Sequence, residues 1–198
     1  YGVFCRDYEG LCSEPVQFQA TPQQGLPFPV GVINGDLSMG YHARIPGWHL
    51  RRFSPALPYP QIEIGEGKAL LLWGKYIPWD GVALQRVPVK PGEKYRIKAR
   101  TNNADKCEGG VNDGIRTFLG ADPAGGIDPA TASVVWSPYQ WWPQWRDQAL
   151  EFYADGPEAT IYLRGQNDMT CAGMKCFFDD VILEPVGTVT PTPTATGT

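Results

Sequence analysis

The segment from residue 139 to residue 145, Tyr-Gln-Trp-Trp-Pro-Gln-Trp, concentrates aromatic side chains in one short stretch. Sugar rings present flat C–H faces, and proteins bind them by stacking a Trp or Tyr ring on such a face while polar groups bond the hydroxyls. Three tryptophans interrupted by Pro143 cannot all enter a core from one loop, so at least one is expected at the surface. The predicted ring platforms are Tyr139, Trp141, Trp142, Trp48, Tyr76 and Trp79, with Gln140, Gln144, Arg146, Asp147 and Asn167 as candidate hydrogen-bonding partners.

The same aromatic residues also fit a protein interface or a hydrophobic core. Exposed Trp and Tyr side chains anchor protein interfaces, so a protein partner would use the same chemistry. For Trp141 and Trp142, burial and exposure stay open. Core packing is the competing expectation for four tryptophans, namely Trp48, Trp73, Trp136 and Trp145.

The sequence carries no recognisable catalytic pattern. GxSxG, HExxH and phosphate-binding glycine loops are missing from it, and its two histidines, His42 and His49, accompany no Ser–Asp ordering. Asp179 and Asp180 are adjacent, so on a strand their carboxylates would point to opposite faces and could not form a glycosidase pair. A pair of Glu63 with Asp180 stays open. We expect a protein that is not an enzyme.

Five cysteines favour an oxidised, extracellular protein, because their spacings match no zinc motif. One preferred pairing, Cys5–Cys12, would close a small loop. The other, Cys107–Cys171, would join two polar loops, although Cys107–Cys176 and Cys171–Cys176 are nearly as well supported. The odd number of cysteines leaves one thiol over.

Composition narrows the classes of protein that remain. The 198 residues include 23 Gly and 19 Pro, a density of helix breakers that argues against a helical fold. The formal net charge of −4 lacks the basic footprint of a nucleic-acid binder. No apolar run approaches the roughly 20 residues that a membrane-spanning helix needs. We expect neither nucleic acid nor a membrane span.

Short strand-like runs fill the chain from Phe28 onward. Residues 95–100, Tyr-Arg-Ile-Lys-Ala-Arg, alternate apolar and basic side chains, as a strand with one solvated face does. No segment shows a helical stripe. The pattern predicts an all-β jelly-roll sandwich of about ten antiparallel strands over residues 28–186. The predicted strands are 29–34, 49–53, 61–64, 68–73, 82–89, 94–101, 114–120, 133–136, 148–153, 159–164 and 177–184.

Both ends of the chain differ from this central region. Residues 1–27 are irregular and predict an N-terminal arm or disulfide loop. Residues 187–198 form a Thr/Pro tract, which favours an extended linker or tail. Its threonines are candidates for O-glycosylation, namely Thr190, Thr192 and Thr194.

Three motifs in chain order resemble carbohydrate-binding jelly-roll modules, the galactose-binding-like β-sandwiches of extracellular bacterial proteins. Residues 33–37, Ile-Asn-Gly-Asp-Leu, followed by Pro-Gly-Trp at 46–48, are similar to the opening of those modules. Residues 82–95 resemble their strand, Pro-Gly turn and Tyr-led strand. Residues 177–183, Phe-Phe-Asp-Asp-Val-Ile-Leu, resemble their closing strand. The resemblance implies the fold more firmly than the function.

The opening motif departs from the family pattern. Ser38 stands where the family often has a Glu that helps to hold a structural calcium ion, and Leu37 replaces a Phe. Asp180 remains a tentative Ca²⁺ ligand, because calcium accepts carboxylate and carbonyl oxygens together.

Together these features predict an extracellular, non-catalytic module that binds a polysaccharide or other glycan through aromatic stacking. The alternative is a structural subunit of an extracellular filament or surface layer, which would bind identical subunits through the arm, the tail and the exposed aromatics.

Overall fold

The computed structural model describes residues 31–37, 40, 45–54, 56–58, 60–64, 69–104, 114–171 and 173–187, and no helix occurs within these ranges. The described residues form ten β-strands, in agreement with the prediction of about ten. They are β1 (His49–Arg52), β2 (Gln61–Ile64), β3 (Leu70–Gly74), β4 (Trp79–Pro88), β5 (Lys94–Ala104), β6 (Ile115–Asp122), β7 (Val135–Trp136), β8 (Arg146–Tyr153), β9 (Glu158–Asn167) and β10 (Met174–Pro185).

The strands form two five-stranded antiparallel sheets that pack face to face. The first sheet has the order β1-β4-β9-β6-β7, and the second has the order β2-β3-β10-β5-β8. Along β5, buried residues alternate with partly exposed ones, because one face of a sandwich strand meets the core and the other meets water. The predicted all-β jelly-roll sandwich is therefore confirmed, and its strands lie inside the predicted domain of residues 28–186.

One predicted strand is wrong in its described part. Residues 33–36 form a turn, and Asn34 has a left-handed φ of 53°, which asparagine tolerates better than other non-glycine residues. The next residue must be glycine, because a Cβ at position 35 would lie 2.2 Å from the carbonyl oxygen of Val181. The Asn-Gly pair thus serves a turn that touches the closing strand.

This turn docks on an irregularity in β10. The register of β10 against β5 shifts between Asp179 and Ile182, and Asp180 adopts a φ of 49° there. A bulge leaves a backbone group without its ladder partner. The amide of Val181 donates instead to the carbonyl of Gly35, with a distance of 2.8 Å. The opening and closing motifs of the sequence therefore meet in space.

A buried glutamine on β4 fastens the same N-terminal segment to the first sheet. The side chain of Gln85 accepts a hydrogen bond from the amide of Ile33 at 2.7 Å and donates to the carbonyl of Ile33 at 2.9 Å. It also donates to the carbonyl of Gly47 at 3.0 Å. Three backbone groups outside the sheets thus find partners without water.

The solvent face of the second sheet carries a ladder of ion pairs. Glu151 on β8 accepts from Lys94 at 2.6 Å and from Nε of Arg96 at 2.9 Å. Glu184 on β10 pairs with Lys98 across the other side of β5. Hydrogen bonds from Lys94 and Arg96 hold the pKa of Glu151 below its ordinary value of 4.5.

Two cysteines fall within the described residues. Cys176 is buried in the core as a free thiol, so the alternative pairings that used it are wrong. Burial raises the pKa of this thiol. Cys171 is disulfide-bonded. The predicted Cys5–Cys12 pair and Cys107 lie outside the described residues, so those pairings stay predictions.

In the part of the chain that the structure describes, no helix is long and apolar enough to cross a membrane.

Gly35→Ala should destabilise the fold, because the new methyl group would press on the Val181 carbonyl. Overpacking against backbone costs about 1 to 3 kcal/mol or more, and the loss is measurable by urea denaturation. Gly156→Ala is the matched control, since its Cβ would approach other atoms no closer than 3.8 Å. Equal stability of both variants would refute the docking of the 33–36 turn on β10.

Glu151→Gln should reduce stability in a pH-dependent way. A carboxylate whose pKa is depressed by folding stabilises the folded state above its unfolded pKa, and this contribution disappears as pH falls through the folded pKa. The difference in unfolding free energy between wild type and variant should thus be larger at pH 7 than at pH 3. Glu63→Gln is the control, because Glu63 forms no ion pair with the described residues. A difference independent of pH would contradict the assignment.

Candidate functional site

The aromatic segment passes from one sheet to the other along an edge of the sandwich. It leaves β7 of the first sheet, and β8 of the second sheet begins at Arg146. Gln140 still pairs with β6, since its backbone exchanges hydrogen bonds with Thr117 at 2.8 and 2.9 Å. We call Tyr139, Trp141, Trp142 and Trp145 the aromatic row.

Two buried amide side chains of the second sheet hold the backbone of this crossing. Asn103, on β5, donates from its side chain to the carbonyl of Gln140 at 2.9 Å and from its backbone to the carbonyl of Trp142 at 3.1 Å. Gln148, on β8, donates to the hydroxyl of Ser137 at 2.8 Å and to the carbonyl of Pro138 at 2.9 Å. The crossing is consequently tied to both sheets.

The centre of the row is a stack of three planar groups. The rings of Trp141 and Trp142 lie 4.6 Å apart with an interplanar angle of 18°. The guanidinium of Arg146 lies 4.2 Å from the ring of Trp142. Trp142 is 37% exposed and Trp141 is partly buried, so both rings of this stack reach the surface.

The two ends of the row each pair an aromatic ring with an arginine. Tyr139 is 52% exposed and has Arg116 5.4 Å from its ring. Trp145 is 37% exposed and has Arg100 at 5.3 Å. Tyr139 belongs to the side of the first sheet, whereas Trp145 packs against Phe177 on the second. The row thus wraps around the sandwich edge.

Beyond Tyr139, further rings continue along the outer face of the first sheet. Phe118 lies 6.1 Å from Tyr139 and 6.4 Å from Trp136, and Phe53 lies 5.7 Å from Trp136. Arg164 sits among these rings, with its guanidinium 3.4 Å from the centroid of Phe53. The face is a mixed surface of aromatic carbon and fixed N–H donors.

Arg164 is itself held by a buried carboxylate. It donates to both oxygens of Asp80, at 2.8 and 2.6 Å. Burial raises the pKa of Asp80, and the arginine opposes that shift. This pair fixes the aromatic face in place. Polar groups open to solvent lie beside it on the same sheet, where Arg116 donates to Asp168 at 2.8 Å and Gln166 donates to the same carboxylate at 3.0 Å.

The structure brings together three of the six predicted platforms. Tyr139, Trp141 and Trp142 all lie on the row. Tyr76 is 66% exposed but lies on the turn between β3 and β4, three strand positions from β8 and from β7 in the respective sheets. It belongs to a different part of the surface.

The prediction is wrong for the remaining two platforms, because both rings are in the core. Trp79 is fully buried and fills the space where Gly74 and Gly165 lack side chains; a Cβ on Gly74 would lie 2.5 Å from its ring. Trp48 is 6% exposed, and its indole N–H donates to the carbonyl of Asn34 at 3.4 Å. Neither ring has a face for a ligand.

The structure also places three further side chains for which the sequence made predictions, namely Trp145, Asn167 and Arg146. The expected burial of Trp145 is wrong, because its ring is exposed on the row. Asn167 is a predicted ligand-bonding group, yet it is fully buried and donates to the carbonyls of Ile77 and Met169 at 2.9 and 2.8 Å. Arg146 is exposed and lies in the stack.

Sequence reasoning missed the two residues that anchor the crossing. A signal for Asn103 is present, because it continues the inward-facing series Tyr95, Ile97, Ala99 and Thr101 of β5 and is polar where the alternation calls for an apolar residue. Gln148 breaks the series of Leu150 and Phe152 on β8 in the same way. Buried amides in a core strand indicate backbone groups that need partners.

The predicted calcium ligand Asp180 lies at the bulge of β10. Its carboxylate is half exposed and pairs with Arg100 at 3.5 Å. Within the described ranges, no group of three or more His, Cys, Asp or Glu side chains could hold a metal ion. Ser38 lies outside the described residues, so the calcium site stays a prediction, as do the glycosylation sites of the tail.

Comparison with solved structures places the fold among known β-sandwiches. The carbohydrate-binding module TmCBM61, solved in complex with β-1,4-galactotriose, matches with a TM-score of 0.51 at 16% identity, over 78% of this chain and 98% of that chain. The enzymatically active domain of tailspike protein 4 from bacteriophage CBA120 matches with a TM-score of 0.56 at 12% identity, over 79% of this chain but 22% of that chain.

An arabinose-bound α-L-arabinofuranosidase matches with a TM-score of 0.51 at 10% identity, over 78% of this chain and 26% of that chain. No protein-family model and no curated protein matches the sequence. At such low identities these matches show the fold alone, which is a jelly roll of the kind found in carbohydrate-binding modules. That resemblance, expected from the sequence motifs, is confirmed.

Gln148→Ala should destabilise the protein by about 2 kcal/mol, because it removes buried hydrogen bonds and leaves a cavity under the crossing. Urea denaturation followed by far-UV circular dichroism measures the loss. Gln144→Ala is the control, since it deletes the same side chain from an exposed position of the same segment. A loss below 0.5 kcal/mol (roughly the surface-substitution range) would show that Gln148 does not anchor the row.

Proposed function

We propose that this chain is an extracellular, non-catalytic module that binds glycans on the aromatic row. The observation that carries the proposal is the stack of Trp141 on Trp142, held at the surface by a crossing that buried amides fix to both sheets. Large aromatic rings kept at a surface by dedicated anchors are typical of a contact surface. The exposed parts of these two flat rings suit the C–H face of a sugar ring.

Rigidity is what gives such a surface its affinity. A ligand that orders loose side chains loses about 0.5 to 1.5 kcal/mol for each of them. Here the rings are already ordered by stacking, and the backbone beneath them is bonded to Asn103 and Gln148. Little of the binding free energy is therefore lost in ordering the protein.

Polar groups for sugar hydroxyls lie along the continuation of the row. From Trp141 the surface leads past Tyr139 to the outer face of the first sheet, where Arg116, Gln166 and Asp168 offer N–H donors and carboxylate oxygens. An extended glycan that crosses the sandwich edge would meet rings first and these polar groups next.

The carboxylates do not favour catalysis. Glu63 lies opposite Leu71, which lies opposite Phe177, so two strand spacings separate Glu63 from β10. With Asp180 three residues further along, the Cα atoms of the two residues are roughly 14 Å apart by strand geometry. Glycosidase pairs need about 5 to 9.5 Å. Two of the similar folds belong to proteins described as enzymatically active or as an arabinofuranosidase. The fold itself therefore does not decide whether a chain is catalytic.

An extracellular location fits the disulfide at Cys171, because such bonds persist in oxidising compartments. The self-assembly alternative depends on the arm and the tail. Residues 1–30 and 188–198 lie outside the described residues, and no specific contact among the described ones favours that alternative.

Retention in native affinity gels tests the proposal. We expect wild type to be slowed in gels that contain a soluble polysaccharide, starting with β-1,4-galactan because the similar module was solved with galactotriose, and then a panel of plant and bacterial glycans. Trp141→Ala should weaken retention about tenfold, since ring stacking and buried ring area are both lost.

Tyr153→Ala is the matched control, because Tyr153 is 62% exposed at the far end of β8 and outside the row. Its retention should equal that of wild type. Absence of retention across the panel, combined with concentration-dependent growth in size-exclusion chromatography, would overturn glycan binding in favour of self-assembly. Retention that survives Trp141→Ala would show that the aromatic row is not the glycan-binding site.

A further inference from the structure

The three exposed rings of the row that contact an arginine differ in how that arginine is neutralised. Arg116, over Tyr139, pairs with Asp168 at 2.8 Å. Arg100, over Trp145, pairs with Asp180 at 3.5 Å. Arg146, over Trp142, is exposed and forms no ion pair with any described carboxylate. Among the described residues, the middle of the row therefore carries a positive charge that no carboxylate pairs with.

The neighbouring carboxylate does not compensate this charge. Asp147 follows Arg146 directly, but on β8 it lies in register with Arg100 on the solvent face of the second sheet. Successive strand residues point to opposite faces. The side chain of Arg146 instead turns to Trp142 at the sandwich edge.

The contact with Trp142 also restricts the guanidinium, whose central carbon lies 4.2 Å from the ring centroid. A planar guanidinium that lies on an aromatic ring is held parallel to it, so its N–H groups point outward past the ring edge. Such a fork is matched to the two oxygens of a carboxylate, and charge-assisted hydrogen bonds of this kind are about twice as strong as neutral ones. Arg146 is thus ordered for an anion before any ligand arrives.

We propose that the glycan bound by this row is acidic, with a uronic acid residue whose carboxylate is held by Arg146. This inference rests on the proposed glycan-binding function and names its ligand class. The Trp141 and Trp142 rings lie 4.6 Å apart, and the guanidinium of Arg146 lies 4.2 Å from the Trp142 ring. A polymer that places a sugar ring on these indoles brings a carboxylate substituent within reach of Arg146.

The test compares polygalacturonate with its fully methyl-esterified form, which has the same backbone without the charge. Wild type should bind polygalacturonate about tenfold more tightly in isothermal titration calorimetry, the factor expected of one hydrogen bond to a charged group. Arg146→Gln should abolish this preference, so that affinity for the acid falls about tenfold more than affinity for the ester. Arg146→Lys, which keeps the charge and loses the fork, should retain part of the preference.

The control variant is Arg86→Gln, which removes an equal charge at an exposed position paired with Glu158 on the first sheet. It should keep the full preference. Equal binding of acid and ester by wild type would overturn the inference, as would a preference that survives Arg146→Gln. Tighter binding of dextran sulfate than of polygalacturonate would assign the site to sulfate esters instead of uronates, and so overturn it too.

Failure of the two proposals can be told apart. Retention of neutral glycans that depends on Trp141, without any preference for the acid, would leave glycan binding intact and refute the acidic ligand. Absence of binding to every neutral and acidic polymer would refute both.

Discussion

The structure depends on the hydrogen bonds that Asn103 and Gln148 donate to the backbone between Ser137 and Trp142. A segment that leaves one sheet for the other loses its ladder partners, and buried backbone carbonyls without partners are costly. Two amide side chains from the second sheet supply those partners while β6 of the first sheet supplies the rest. The crossing therefore lies in one conformation, and the rings that it carries lie in one arrangement.

The same constraint links packing to function. Because the anchors occupy inward-facing positions of β5 and β8, the rings above them cannot sink into the core and remain on the sandwich edge. Trp142 then contacts both Trp141 and Arg146, which converts three flexible side chains into one rigid surface. A rigid ring face beside fixed N–H donors is what a sugar with flat C–H faces and polar substituents needs.

Much of the fold could be predicted from the sequence, because strand alternation and turn residues act locally. Alternating residues such as those of 95–100 predict strands at the right places, and the Asn34-Gly35 motif stands out in the sequence, although it forms a turn and not a strand. The candidate site was harder to predict from the sequence. Trp79 and Trp141 have the same residue type, and what buries one and exposes the other is remote: Gly74 and Gly165 make room for Trp79, whereas Asn103 and Gln148 hold the backbone under Trp141.

The most direct measurement of the central claim is an NMR titration that follows the seven tryptophan indole N–H signals as neutral and uronate oligosaccharides are added. If glycans bind the aromatic row, the indole signals of Trp141 and Trp142 shift with saturation, while those of the buried Trp48 and Trp79 stay in place. Saturable shifts of Trp48 or Trp79 alone, or ligand binding that leaves Trp141 and Trp142 unmoved, would contradict the account.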